Sequence, residues 1–138
     1  MYLMKKTLIN RRYRGLAVVE AAIVFPLLLM ITLGAIEYGW LFLKAHQLAN
    51  AARSGARVAV CRDSSPAEGE AVMWKLLTED AKITPDVCTV TVVPLADGST
   101  AMKAEVKVAS AKVALINTSL LPMPATLGAS VTMAKEGP

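Results

Sequence analysis

An acidic residue, Glu20, stands within an apolar stretch and five residues after Gly15. The sixteen residues that follow it, 21–36, carry no charged side chain, and residues 16–19 before it are apolar as well. An unpaired carboxylate placed in hydrocarbon costs at least ~2.5–3.5 kcal/mol. We therefore expect Glu20 to have a partner of opposite charge.

A simpler alternative is that Glu20 and Glu37 bracket the apolar segment, each reaching toward its own headgroup layer. The sixteen residues between them, at ~1.5 Å each, span ~24 Å, which is less than the ~30 Å of a bilayer's hydrocarbon core. One or both acids would then lie inside the boundary. This shortfall favours a paired Glu20.

Gly15 indicates where the partner of Glu20 comes from. A glycine backbone fits a protease cleft in extended form, and a cut after Gly15 would give Leu16 a new α-amino group. Four residues, or one helical turn, separate that amine from Glu20. The pair could meet within one subunit or across two subunits staggered by about a turn. Either pairing satisfies both buried charges, and the second would set the register between packed helices.

The element that carries these residues is predicted to be a transmembrane helix. Residues 16–43 hold only two charged side chains, and ~20 apolar residues are enough to cross a bilayer. We assign residues 16–40 to the span and residues 41–138 to an extracytoplasmic domain. Pro26 removes a backbone hydrogen bond and predicts a kink in the helix. Tyr38 and Trp40 fit the outer membrane interface.

Basic residues are concentrated before the apolar segment. Five of the fifteen lie in residues 1–15, which predicts a cytoplasmic N-terminus. The formal charge of +4 falls to about −1 without this arm, since ten basic and eleven acidic residues remain. The basic balance is therefore no argument for nucleic acid binding, and no basic-aromatic interleaving of the kind that stacks bases is present. We predict no nucleic acid partner.

The N-terminal pattern resembles the class III signal of type IV pilins and pseudopilins, and most closely the TadE-like pseudopilins of tight-adherence (Flp-type) pilus systems. The similarity covers roughly residues 10–60. It is carried by Arg14-Gly15-Leu16, Val19-Glu20, Phe25-Pro26, Gly34, Ile36-Glu37-Tyr38-Gly39 and the segment from Ala51 to Ala59 with Arg53, Gly55 and Arg57. Flp major pilins are much shorter, with almost nothing after the helix, so the resemblance implies an accessory subunit.

The resemblance implies that residues 1–15 are a leader removed by a prepilin peptidase at the Gly15–Leu16 bond. Glu20 would pair with a neighbour's N-terminal amine, and Glu37, Arg53 and Arg57 are candidates for a helix-packing or assembly surface. The implied partners are other minor and major pilins, the inner-membrane assembly platform with its ATPase, and the lipid bilayer. The implied location is the bacterial cytoplasmic membrane or a pilus. The alternative is an uncleaved single-pass protein with an extracytoplasmic scaffold or sensor domain.

The remaining chain predicts an α+β fold. Apolar residues recur at helical spacing as far as Val60, so the long helix should run from about Leu16 to Val60. Ser65-Pro66-Ala67-Glu68 predicts the start of a second, short helix, which should end near Ile83. Its predicted apolar stripe is Met73, Leu76 and Leu77, with Trp74 at the edge of the core. Arg53 and Arg57 are equally compatible with an ordinary solvated face.

Alternating residues after Cys88 predict a small antiparallel sheet packed on the outer half of the long helix. The predicted strands lie at 89–93, 102–108 and 127–133, and Asp97-Gly98 is a hairpin turn signal between the first two. Pro122 and Pro124 mark a loop before the last strand. The pattern from residue 113 to residue 121 does not distinguish helix from strand.

Cys61 and Cys88 both follow the apolar segment, and in an oxidising compartment they predict one disulfide. It would close a loop of roughly 27 residues, worth about 3–4 kcal/mol in the chain-entropy model; two free buried thiols are the alternative. Only His46 could join them as a soft ligand, and structural zinc needs four, so we predict no metal. No nucleophile partner for His46 and no phosphate-binding glycine loop are recognisable, so we predict no catalytic residues and no cofactor.

Overall fold

The computed structural model describes residues 3–96, 100–116 and 122–135, and for residues 3–14 the backbone alone. The predicted α+β class, with a long N-terminal helix, a short second helix and a small antiparallel sheet, is confirmed. The elements are α1 (Leu3–Ala59), α2 (Pro66–Glu79), β1 (Cys88–Pro94), β2 (Ala101–Ala109), α3 (Ser110–Val113) and β3 (Thr126–Ala134). Contacts divide the chain into two compact units, Met1–Ile36 and Glu37–Pro138, called unit 1 and unit 2.

Helix α1 has 57 residues and contains Pro26. It ends within one residue of the predicted Val60 but begins at Leu3 rather than at Leu16. The basic arm holds leucine, lysine and arginine, which favour helix, and it contains no proline. Gly15 therefore lies inside the helix instead of before it. The helix continues through Pro26, and the kink stays a prediction.

Helix α2 begins as its sequence predicts. The Ser65 side chain accepts a hydrogen bond from the backbone N–H of Glu68, and Pro66 occupies the first helical turn. The helix ends at Glu79, short of the predicted Ile83. Lys82 has a backbone φ of 53°, a left-handed conformation that cannot continue a right-handed helix. The predicted stripe is confirmed, since Met73 and Leu77 are buried and Leu76 and Trp74 pack against them.

The three strands form one antiparallel sheet with β2 in the centre. Val106 of β2 lies opposite Val90 of β1 and Ala129 of β3. The predicted alternation of the second strand is confirmed, since Ala104, Val106 and Val108 are buried. The third strand alternates as predicted between exposed residues and the partly buried Leu127, Ala129, Val131 and Met133. The predicted Asp97-Gly98 turn lies outside the described residues. Residues 122–124 are irregular, as the prolines predict, and residues 110–113 form the short helix α3.

The core of unit 2 lies between the outer half of α1, α2 and the inner face of the sheet. Each fully buried leucine or valine contributes ~1.5–3 kcal/mol through removal of apolar surface from water. Small residues of α1 let the other elements approach closely. The buried apolar residues include Leu41, Leu48, Ala51, Ala52, Ala56 and Ala59 of α1, Met73 and Leu77 of α2, and Val92, Ala104, Val106 and Val108 of the sheet.

Candidate functional site

The residues of the predicted processing and pairing site lie on the surface of α1 in unit 1. Gly15, Leu16 and Glu20 are exposed, and a Cβ built on Gly15 would meet no atom within 4 Å. Four residues separate Leu16 from Glu20 within a continuous helix, so both occupy the same face one turn apart. The structure thus provides the spacing on which the pairing hypothesis depends.

The apolar side chains around Glu20 are also exposed. Val18, Ile23 and Phe25 have 68%, 70% and 59% of their surfaces accessible. The described residues contain one helix long and apolar enough to cross a membrane, with the candidate segment at Gly15–Ala59. Exposed apolar surface of this extent must be covered by lipid or by protein. A long apolar N-terminal helix fits a membrane anchor.

Glu37 is the second acid of the apolar segment, and it is completely buried in unit 2. Its Oε1 accepts a hydrogen bond from the backbone N–H of Leu115 at 3.0 Å, and its Oε2 accepts one from Ile116 at 2.8 Å. Charge-assisted bonds of this kind are stronger than neutral ones. Glu37, a predicted packing or assembly residue, therefore binds the chain that follows α3 in its own unit.

Three more side chains of α1 donate hydrogen bonds to main-chain carbonyls of unit 2. Trp40 Nε1 donates to Val113 O at 2.8 Å, Lys44 Nζ donates to Ala81 O at 2.5 Å, and Gln47 Nε2 donates to Asp80 O at 3.3 Å. Together with Glu37 these residues recur at intervals of three or four and share one helix face. We call this set the polar stripe: Glu37, Trp40, Lys44 and Gln47.

Lys44 and the aromatic residues near it have defined environments. Burial lowers the pKa of Lys44, whose ammonium lies 4.8 Å from the centre of the Trp40 ring. The Tyr38 hydroxyl donates to the carbonyl of Pro122. The predicted position of Tyr38 and Trp40 at the outer membrane interface stays a prediction. In the sequence, the one signal for the contacts of Tyr38 and Trp40 with distant main-chain carbonyls is their spacing from Glu37 and Lys44 on the same helix.

Helices α1 and α2 cross in close contact at two glycines. A Cβ on Gly69 would lie 2.7 Å from Gly55 O and 2.9 Å from the Cβ of Ala59. A Cβ on Gly55 would lie 2.9 Å from Gly69 O. All three distances are shorter than real Cβ contacts allow. The small residues of the segment from Ala51 to Ala59 therefore serve the packing of α2.

The arginines of the same segment face away from this crossing. Arg53 and Arg57 are exposed, and Arg53 Nη1 lies 3.5 Å from the side-chain oxygen of Asn50. They lie one turn apart on α1. Of the predicted assembly residues, Glu37 is thus used within the unit, whereas the two arginines remain accessible.

Cys61 and Cys88 have free thiols, the first exposed after α1 and the second buried at the start of β1. The disulfide stays a prediction. Burial raises the pKa of Cys88 to about 11. Cys61 Sγ lies 3.3 Å from the carbonyl oxygen of Arg57, one turn back in α1. The two cysteines thus differ strongly in their access to solvent.

The remaining polar groups considered as functional candidates are His46, possible metal ligands and the charged cluster around Glu105. His46 contacts Phe42 edge-to-face, with ring centroids 4.4 Å apart. Among residues 3–96, 100–116 and 122–135, no three histidine, cysteine, aspartate or glutamate side chains are grouped as metal ligands would be. Glu105 on β2 binds Lys103 and Lys107, and hydrogen bonds from these lysines lower its pKa to about 2. A shallow depression of about 250 Å³ lies beside it.

Part of helix α1 is similar to a known protein family. No curated protein and no solved structure matches the chain. Residues 15–57 match the family model described as TadE-like protein, a family of pilin-like structural proteins. The matched segment begins at Gly15 and contains Glu20, Glu37, Arg53 and Arg57. The resemblance predicted from the sequence is confirmed over residues 15–57, and this match is consistent with a TadE-like protein of the tight-adherence systems.

Proposed function

We propose that the chain is a minor pilin, or pseudopilin, used in assembly of a tight-adherence (Flp-type) pilus. The observation that carries this proposal is the start of the TadE-like match at Gly15, five residues before Glu20 on an exposed apolar helix. Residues 1–15 are the leader, residues 16–40 the membrane span and residues 41–138 the extracytoplasmic domain; the last four residues of the span, 37–40, also belong to unit 2. The leader lies in the cytoplasm, and the processed subunit enters a pilus from the cytoplasmic membrane.

A prepilin peptidase cuts the bond between Gly15 and Leu16 and creates the partner of Glu20. The new ammonium and the carboxylate each lack a partner in hydrocarbon, and neither is tolerated there alone. Pairing across subunits stabilises only those assemblies in which neighbouring helices are staggered by about a turn. Other pilins supply the neighbours, and the assembly platform with its ATPase supplies the energy for extrusion.

The helical backbone at Gly15 must open locally before the bond can be cleaved. A peptide bond must leave the helix to enter a protease cleft in extended form. Glycine is ~0.8–1.0 kcal/mol less favourable in a helix interior than alanine. Gly15, exposed and without side-chain contacts, lowers the cost of opening α1 at this bond. The substitution Gly15→Ala is therefore expected to slow cleavage by both steric and helix-stabilising effects.

The first residue of the mature protein tests the proposal. In cells that contain an active prepilin peptidase, we expect mass spectrometry to find Leu16 at the N-terminus. Cells lacking the peptidase are the control and should retain Met1. An intact Met1 in the presence of the active peptidase would contradict the proposal and favour an uncleaved, membrane-anchored scaffold or sensor.

Glu20→Ala tests the pairing separately from the cleavage. The substitution removes one carboxylate from an exposed position, so expression and cleavage should stay unchanged while piliation is lost. Glu20→Asp, with a shorter reach to the same amine, should retain part of the piliation. Normal pili on cells carrying Glu20→Ala would show that Glu20 does not set the packing of subunits.

A further inference from the structure

Charge is divided between two helices of unit 2 that pack against each other. Residues 38–62, in α1 and the turn after it, include four basic residues and no acid, whereas residues 63–80 include five acids and one lysine. Within the part of the chain that the structure describes, the ion pairs are those of Glu105 with Lys103 and Lys107. Within one copy, the described basic residues of α1 therefore form no ion pair with the acids of α2.

The geometry of α1 explains this separation. Gly55 and Ala59 face α2, while Arg53 and Arg57 are exposed. At 100° per residue, positions 53 and 57 lie on the opposite side of the helix from positions 55 and 59. The two arginines therefore point away from the α2 of their own copy, and none of the carboxylates in the described residues forms an ion pair with them. A separate molecule can supply the missing carboxylates.

The exposed acids at the end of α2 lie at a known height along α1. Gln47 Nε2 donates to Asp80 O, so Asp80 and its neighbour Glu79 are level with Gln47. Both acidic side chains are exposed. Arg53 lies six residues, or about 9 Å, farther along the helix. A second copy displaced by this amount along the α1 axis would bring its Glu79 and Asp80 level with Arg53 of the first.

We propose that Arg53 and Arg57 of one copy dock against Glu79 and Asp80 of a second copy of this chain in a head-to-tail contact. A two-fold axis parallel to α1 allows no axial displacement between copies and would leave Arg53 about 9 Å from the level of Glu79 and Asp80, whereas a head-to-tail contact supplies the displacement and can repeat. The displacement has the same direction as the one required when Leu16 of a neighbour meets Glu20. It is longer by two residues, or about 3 Å, which the length of an arginine side chain can take up. The inference rests on the proposed subunit function.

Lipid headgroups are excluded as the partner of the two arginines by distance along the helix. Arg53 lies thirteen residues beyond residue 40, the end of the proposed span, which corresponds to about 20 Å of helix. An arginine side chain does not extend that far toward the bilayer surface. The acids of a second copy are the complementary charges that the chain itself provides.

Cross-linking of full-length protein in cell membranes tests the contact. Two copies with different tags, both carrying Cys61→Ser, receive Arg53→Cys and Glu79→Cys respectively, and a short thiol cross-linker is added. We expect cross-linked dimers that contain both tags. Lys112→Cys, at another exposed position of unit 2, replaces Arg53→Cys as the control. Cross-linking no greater than this control, or Arg53→Cys joined mainly to itself, would overturn the proposal.

Charge reversal in the same cysteine pair shows whether the contact is electrostatic. Arg57→Glu in the first copy places like charges opposite each other and should reduce mixed cross-linking about tenfold. Asp80→Lys in the second copy should restore it, because lysine is compatible with a helix C-terminus. Lys112→Glu should change nothing. Failure of Asp80→Lys to restore the cross-link would show that these residues are not partners.

The docking and the proposed function can fail independently. The N-terminal residue and piliation report on the function, and the mixed cross-link reports on the docking. Cleavage to Leu16 without the cross-link would refute the docking alone. A retained Met1 together with the cross-link would refute the pilin function and leave a membrane protein that associates head to tail.

Discussion

The two acids of the apolar segment, Glu20 and Glu37, have opposite environments. Glu37 is buried and accepts hydrogen bonds from two backbone N–H groups of its own unit. Glu20 is exposed on a helix whose neighbouring side chains are apolar and exposed too. A carboxylate of the first kind is already satisfied by its fold. For the second, the proposed function supplies a partner from a neighbouring subunit, the amine of its Leu16.

Cys61 and Cys88 should differ in reactivity. At pH 8 a water-soluble maleimide is expected to modify Cys61, which is exposed, and to leave Cys88 unmodified until the protein is unfolded. Cys88 is buried, and its pKa of about 11 keeps the thiol protonated and unreactive at this pH. Mass spectrometry of the labelled protein counts the modified thiols.

Cys61→Ser is the control for the labelling and should abolish modification of the folded protein. The disulfide predicted from the sequence makes a different prediction: neither cysteine would react until a reductant is added. Labelling that requires a reductant would therefore contradict free thiols and confirm the disulfide. Rapid labelling of both cysteines in the folded protein would contradict both descriptions.

The crossing of α1 and α2 is expected to depend on the absence of a Cβ at Gly55. Alanine at this position would place a methyl group 2.9 Å from Gly69 O and against the Met73 side chain. Overpacking of this kind costs about 1–3 kcal/mol. Gly55→Ala should lower the free energy of unfolding by that amount, as measured by urea denaturation of the detergent-solubilised protein.

Gly39→Ala is the matched control, because it introduces the same methyl group into the same helix. A Cβ at Gly39 would meet no atom within 4 Å. Alanine is the better helix former, by ~0.8–1.0 kcal/mol, so this variant should be as stable as the parent or more stable. Equal stabilities of Gly55→Ala and the parent protein would show that the helices are not held at this distance.

Local signals in the sequence determine most of the elements. Ser65 and Glu68 mark the start of α2 within four residues, and the alternation around Val106 marks a strand, since both depend on neighbours in the chain. The hydrogen bonds from Leu115 and Ile116 to Glu37 join residues 78 and 79 positions apart. Such contacts exist only after the chain has folded, and a local pattern does not specify them.

The molecule divides its apolar residues between two units, exposed in the first and buried in the second. Unit 1 exposes apolar side chains along α1, as a lipid-embedded or subunit-embedded helix does. Unit 2 encloses its own core between α1, α2 and the sheet. This division explains the apolar overall composition, with a mean hydropathy of +0.46, without an unusually large core. It also suggests that unit 2 can exist without unit 1.

A fragment of residues 37–138 is therefore expected to be a soluble, cooperatively folding domain. A shorter fragment, 45–138, keeps most of the core but lacks Glu37, Trp40 and Lys44 of the polar stripe and the buried side chain of Leu41. Loss of one buried leucine and several hydrogen bonds should cost about 3 kcal/mol or more, a large fraction of the stability of a small domain.

Urea denaturation followed by circular dichroism measures the difference between the two fragments. We expect a lower midpoint for 45–138 at a similar slope, because both fragments expose a comparable surface on unfolding. Glu37→Ala in the longer fragment should account for part of the difference, since it leaves the N–H groups of Leu115 and Ile116 without their acceptor. Identical midpoints for the two fragments would mean that the polar stripe does not stabilise unit 2.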